Sequence, residues 1–318
     1  MSKRWSDKEQ NFLNELRLNL ESELKEANQV PDVIGDRRLL RFSKGHNFNL
    51  PIVTKMLKNH YKWRKEAKAD EARYRILYEN INEPSKFPYA DKILKHVKQV
   101  CITWKGRDKE GSPISVEKYG FSPSEVLADV SIEQYLEFMV YALEYKILIT
   151  EQLAEHLERI NIEKNIEKND KDNDIPYGVI IYTTVIRDLD GIGFEHLGVQ
   201  GQEIISAILK VSTDNYPELM KKCYMINTPW LFNTLWFFIK NLLSQRSIDK
   251  VEVLGTDYLN NMTKLITKEN IPNIIEDGTL EPDGPFDFDL SCFCFNNNNN
   301  KNIDNNKEEK INVFLNLN

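Results

Sequence analysis

The 318-residue sequence predicts an α/β protein, a helical N-terminal subdomain followed by a mixed five-stranded sheet. Three observations carry this. Apolar residues over the first 80 positions recur at helical spacing. Beyond the breakers at Pro84 and Pro88, strand-like segments alternate with helical ones. Five such strand-like segments can be counted, the first two close enough to form a hairpin.

Phe12, Leu13, Leu16, Leu20 and Leu24 define the apolar face of a first helix. A short helix begins at Asp36 with RRLLRF, and a longer one follows from Leu50, with Pro51 in its first turn. QVCITW from Gln99 and PISVEKYG from Pro113 read as strands joined across GRDKEG. Residues 131–160 read as a long amphipathic helix. GVIIYTTVI from Gly178 is a β-branched run suited to a central buried strand. Residues 194–213 read as a helix, KCYMIN from Lys222 as a strand, 230–245 as a helix and KVEVLG from Lys250 as the last strand. The expected divisions are a helical subdomain over 1–80 and a sheet domain over 85–280. A low-complexity loop insertion over 160–175 and a disordered Asn-rich tail over 284–318 complete them.

Composition narrows the function classes. Hydrophobic residues make up 41% and the mean hydropathy is −0.51, which argues against an integral membrane protein. No apolar signal core follows the N-terminus, and the four cysteines (Cys101, Cys223, Cys292, Cys294) read as reduced thiols, so a cytoplasmic location is expected. The net charge is −7, yet residues 36–68 hold ten Lys and Arg against Asp36 and Glu66, a local +8. Such a segment suits an anionic membrane surface, and equally a solvated helical face. Nucleic acid is not expected, because no recognisable motif interleaves aromatics with these bases.

Catalytic signals are scarce. The sequence lacks a G-x-S-x-G elbow, an H-E-x-x-H pair and a phosphate-cradling Gly loop. Asp188 and Asp190 form a carboxylate pair that is common at strand ends without a metal. Cys292 and Cys294 alone supply too few ligands for zinc. No catalytic residue, metal or cofactor is expected.

One segment stands out. From Trp230 to Leu243 ten of fourteen residues are large and apolar, but the uncharged run from Cys223 to Ile239 is 17 residues and contains Pro229, too short and broken to span a bilayer. On a helix Leu231, Phe232, Leu235, Trp236, Phe238 and Ile239 share one apolar arc, with Leu242 and Leu243 continuing it. Trp230 and Phe237 fall among the polar residues on the opposite side, a pattern that suits either packing of both rings against a neighbouring segment or a helix dipping into a lipid interface.

The runs RRLLRF…FNLPIVTKMLKNHYKWRK, GRDKEGSPI, IRDLDGI, DNYPELMKKCYMINTPWLFNTLWFFIKNLL and IDKVEVLG resemble, in order, the CRAL-TRIO family of Sec-fourteen-like lipid carriers. The resemblance covers roughly residues 30–275 and implies a sheet flooring an apolar pocket for one lipid, closed by a gate helix equivalent to Pro229–Leu243. It implies a non-enzymatic carrier whose ligand is a phospholipid and whose partner is an anionic membrane met transiently. No protein partner is implied. For phosphatidylinositol, the matching headgroup positions are Glu218, Ser247 and Lys250, with His46 in the early basic motif. That motif reads RFSKGHNF, with His46 and Asn47 replacing an Arg-Lys pair. The phosphatidylcholine pattern is poorer: of its two central-strand hydroxyl positions Thr183 is retained and Val185 lacks a hydroxyl, and Trp104 and Ser115 stand at its two tyrosine positions. The closing L-P-x-x-Y/F-G-G motif is reduced to IPNIIEDG, keeping Pro272 and Gly278. Phosphatidylinositol transfer is therefore the expectation, and a regulatory module sensing a sterol, an isoprenoid or nothing is the alternative.

Overall fold

The computed structural model describes residues 3–167 and 176–294. Its N-terminal helices are α1 (Asp7–Asn19), α2 (Glu21–Glu26), α3 (Pro31–Ile34), α4 (Asp36–Gly45), α5 (Leu50–Glu66) and α6 (Ala69–Tyr78). Then come α7 (Ala90–Ile93), β1 (Gln99–Val100), β2 (Ile114–Lys118), α8 (Pro123–Asp129) and α9 (Ile132–Glu167). The remainder runs β3 (Thr183–Asp188), α10 (Val199–Asn215), β4 (Met220–Ile226), α11 (Phe232–Lys240), α12 (Gln245–Asp249), β5 (Val251–Val253) and α13 (Leu259–Met262).

Two compact units emerge, each discontinuous in sequence. The first draws on the described parts of residues 1–61, 148–181 and 288–318. Ser6 starts its α1 with a capping box: the Ser6 hydroxyl accepts from the Glu9 amide while the Glu9 carboxylate accepts from the Ser6 amide. Its core gathers Leu13 and Leu16 of α1 and Leu20 at its C-cap with Leu39, Leu40 and Phe42 of α4 and Val53 and Leu57 of α5.

The second unit, residues 62–147 and 182–287, holds the sheet, ordered β1-β2-β3-β4-β5. The β1–β2 pair is antiparallel, the hairpin expected from the sequence, and the other three pairings are parallel. Alternation along the strands sends Val185, Leu189, Cys223 and Met225 to one core and Ile186, Tyr224 and Ile226 to another. Near the C-terminal end of β3 the chain crosses itself closely. A Cβ on Gly120 would lie 1.7 Å from the Asp190 carbonyl oxygen, and Gly191 has φ +88°, so both positions need glycine.

Several boundaries differ from the sequence reading. The unit division falls within α5 and α9, so neither unit is a contiguous stretch such as 1–80 or 85–280. Helix α9 contains no Gly or Pro and runs to Glu167, so the first part of the expected loop insertion is helical; residues 168–175 lie outside the described residues. Only Thr183–Asp188 of the 178–186 run and its neighbours enters the sheet. Gly178 instead belongs to the first unit, its amide donating to the Arg4 carbonyl. The expected disordered tail is packed over its described part: Phe286 and Phe293 are each 1% exposed. The remaining tail, 295–318, lies outside the described residues. Among the described residues, no helix is long and apolar enough to cross a membrane.

The basic segment is also not the surface feature its count suggests. Arg37, Arg38, Arg41 and Arg64 are all buried. Arg37 pairs with Glu151, Glu155 and Glu158 within the first unit, and Arg64 with Glu144 and Asp70 within the second. Four of the ten cations are therefore interior: α9 supplies carboxylates to Arg37, Arg41 and Arg64 that a local charge count cannot see, and Arg38 donates to the Asp32 carbonyl.

Candidate functional site

The second unit contains a cavity with about 640 Å³ of non-atom space, part of it open to solvent. Helix α10 contributes Ile204, Ile205, Ile208 and Leu209 to its wall. Helix α11 contributes Phe232, Leu235 and Ile239, spaced i, i+3, i+7 on one helical face. The sheet side adds Arg187, Leu189 and Met225.

The apolar arc read from the sequence is largely the buried face. Leu231, Phe232, Leu235 and Ile239 are buried, and Trp236 and Phe238 are partly buried against the same core. The rings of Phe232 and Trp236 stack at 6.0 Å. The helix is shorter than expected, ending at Lys240 where Leu242 and Leu243 close tighter turns onto Ile239 and Lys240. Leu242 thereby leaves the arc and is 41% exposed. On the other side Trp230 and Phe237 are 77% and 70% exposed. Phe194, also exposed, meets Trp230 edge-on at 6.0 Å, a third ring that the sequence reading did not include.

The candidate headgroup residues gather in part. Glu218 adopts φ +55°, a left-handed conformation costly for a non-glycine residue, and its side chain is 4% exposed. Arg246 donates to it through Nε and Nη2 at 2.6 and 3.1 Å, and the Lys250 ammonium donates at 3.0 Å. Burial works to raise the Glu218 pKa, but the hydrogen bond from Arg246 and the Lys250 charge overcome it and hold the carboxyl below its usual range. Arg246 was missed in the sequence; its signal was a third cation-competent residue four positions before Lys250 on a short helix.

The other assignments sit differently. The Ser247 hydroxyl pairs with Ser244 at 3.0 Å rather than with Glu218. The Thr183 hydroxyl is buried and donates to the Leu219 carbonyl at 3.0 Å. His46 caps the end of α4 in the first unit. Asp188 is engaged by Lys118 at 3.2 Å and by the Asn227 amide at 2.9 Å, while Asp190 is exposed, so these carboxylates do not converge as a metal pair. A metal-competent group not foreseen consists of His156, Asp289 and Cys292, whose ligand atoms lie within 4.8 Å of one another. Burial pushes the Cys292 thiol up to about 12, and Arg159 Nη2 lies 3.7 Å from its sulfur, both adverse to a bound cation.

Comparison with known proteins places this geometry in a family. Residues 97–276 match the CRAL/TRIO domain model. The chain is 25% identical over 236 residues to the Arabidopsis thaliana phosphatidylinositol/phosphatidylcholine transfer protein SFH4, covering 74% of this chain and 34% of that protein. It is 27% identical over 240 residues to the Sec14 cytosolic factor of Schizosaccharomyces pombe, covering 75% and 73%. The chain thus spans only about a third of the length of the plant relative. The crystal structure of Sfh5 shares the fold at a TM-score of 0.56 and 15% identity, covering 82% of this chain and 84% of that one. The motif resemblance and the family match agree: the chain belongs to the CRAL/TRIO domain family.

Proposed function

We propose that this chain binds a phospholipid in the α10–α11 cavity and carries it between membranes without catalysing a reaction. The observation that carries this reading is α11 and its entry: Phe232, Leu235 and Ile239 wall an apolar cavity, while Phe237 on the same helix and Trp230 in the turn that precedes it stand exposed. A cavity of that composition repays lipid extraction at about 0.8 kcal/mol per buried CH₂. The names of the relatives, which include phosphatidylinositol/phosphatidylcholine transfer proteins, support a phospholipid ligand.

Phosphatidylinositol is the favoured ligand. Lys250 and Arg246 supply cations for its phosphate, and Glu218, already held by both, orders them. Helix α11 acts as the gate, and Trp230 and Phe237 meet the lipid interface during exchange. The protein works in the cytoplasm and touches anionic membranes transiently.

Native mass spectrometry with lipid extraction, after the purified protein is offered mixed phospholipids, tests the reading. Stoichiometric phosphatidylinositol is the expected result. A sterol or isoprenoid would retain the pocket and discard the headgroup assignment, and an empty protein would overturn lipid carriage.

A further inference from the structure

Arg187 is out of keeping with its surroundings. It lies on β3 between Val185 and Leu189, two residues of an apolar core, and it lines the cavity with its side chain 22% exposed. Behind it is a buried ionic group. The Glu117 carboxylate accepts from Arg187 Nε at 3.3 Å and from the Tyr119 hydroxyl at 3.0 Å through Oε2. Its Oε1 accepts from the Lys146 ammonium at 3.0 Å, which also donates to the Ser115 hydroxyl at 3.0 Å.

The carboxylate is therefore fully used, and two cations face one anion. Burial opposes ionisation of all three groups, but their mutual attraction prevails: Glu117 is held down to about 2, and Lys146 and Arg187 are raised. Tyr119 and Tyr135, raised by burial and by Glu117, stay neutral, as do the thiols of Cys101 and Cys223. A single positive charge is left over in the interior. Unbalanced buried charge is costly, and a matching anion relieves it. Arg187 Nη1 and Nη2 have no hydrogen-bond partner among the described residues, leaving a two-nitrogen edge for an incoming oxyanion.

We propose that the Arg187 corner of the cavity is an anion-selective subsite, taking the acidic head of an apolar-chain ligand, a carboxylate or a phosphate monoester, and rejecting quaternary ammonium heads. This rests on the reading that the cavity holds a lipid. The subsite differs in position and partners from the Glu218 cluster, whose residues Glu218, Arg246 and Lys250 do not line this cavity.

The test compares oleate with oleyl alcohol, which shares the chain and lacks the charge, by competition against a fluorescent fatty acid. Phosphatidate and phosphatidylcholine vesicles serve as the second arm. Wild-type protein is expected to prefer oleate by about tenfold or more, the scale of one charge-assisted pair. Arg187→Met, which leaves Glu117 and Lys146 as a balanced pair, should erase that preference, and Arg187→Lys should keep most of it. Cooperative thermal unfolding of both variants verifies that they fold. Displacement of oleate by phosphatidate extends the subsite to phosphate heads, and resistance to displacement restricts it to carboxylates. An unchanged ratio in Arg187→Met, or displacement of oleate by phosphatidylcholine, overturns the subsite alone. Failure to load any lipid, phosphatidylinositol included, overturns the carrier reading with it.

Discussion

Replacing Trp230 and Phe237 together by alanine separates membrane contact from ligand storage. The two rings are 77% and 70% exposed, so they contribute little to the folded core. Aromatic side chains offer 150–250 Å² each, so the exposed parts sum to roughly 330 Å². At about 25 cal/mol per Å², complete transfer of that surface into an apolar phase is worth roughly 8 kcal/mol. A shallow dip that covers half of it yields about 4 kcal/mol, a change in membrane partitioning of nearly a thousandfold. The double alanine variant should therefore lose liposome co-sedimentation and slow the transfer of fluorescent phosphatidylinositol from donor to acceptor vesicles. Lipid loading at equilibrium should stay at the wild-type level, because the cavity wall is built from Phe232, Leu235 and Ile239. Transfer at the wild-type rate refutes the membrane role of α11. A collapse of loading would show that the two rings hold the cavity together.

Three further outcomes follow from the charged groups. Lys250→Ala should lower phosphatidylinositol loading by about tenfold, one charge-assisted contact, while Arg246 continues to hold Glu218 and the fold; unchanged loading in native mass spectra removes Lys250 from the headgroup site. Arg64→Met strands the Glu144 carboxylate, whose side chain is 0% exposed and otherwise accepts, among the described residues, from the Tyr216 hydroxyl at 2.7 Å. Urea unfolding should register a loss of about 3–5 kcal/mol, and a loss below about 1 kcal/mol would mean that the pair contributes nothing net. Glu117, lowered from 4.5 to about 2, contributes stability that is present above pH 4.5 and lost as pH falls toward 2, amounting to about 3 kcal/mol. Unfolding free energies measured from pH 5 to 2 should show this slope, and Glu117→Gln should flatten it.

The sequence disclosed most where a periodic pattern met a local rule. The i, i+3, i+7 spacing of Phe232, Leu235 and Ile239 and the off-face position of Phe237 follow from helical geometry alone, and their burial differs accordingly, while Trp230 is exposed in the turn before the helix. The β1–β2 hairpin was legible for the same reason, since a turn-rich run joins its strands. What stayed hidden depends on long-range pairing. The +8 segment reads as a solvated face until α9 brings Glu151, Glu155 and Glu158 to Arg37, more than a hundred residues away. The end of α11 was misread because a hydrophobic arc persists through Leu242 and Leu243 after helical hydrogen bonding stops. Lys146 did leave a trace, a charged residue ahead of the apolar run Ile147, Leu148 and Ile149, whereas Glu117 and Arg187 each close a β-branched run beside another charge, Lys118 and Asp188. A single such residue has no visible partner in a sequence, and only the β2–β3 register, Glu117 opposite Arg187, joins two of them.

That register bears on ligand choice. Strand pairing fixes Glu117 beside Arg187, and β4–β5 pairing sets Lys250 just before Val251, the partner of Cys223. Each cluster, Glu117 with Lys146 and Arg187, and Glu218 with Arg246 and Lys250, sets two cations against one carboxylate. In each, the carboxylate is nearly buried and cannot serve a ligand without releasing a cation, so its role is to fix cation geometry. Choline recognition needs the reverse arrangement, an aromatic cage or a surplus of negative charge. Of the aromatic positions that the phosphatidylcholine pattern would use, Trp104 packs edge-on against Phe286 at 4.8 Å and is 4% exposed, and Ser115 is occupied by Lys146. Selection among headgroups in this chain would then rest on charge sign rather than on shape. A phosphatidylcholine-loaded wild-type protein would contradict that reasoning at both clusters simultaneously.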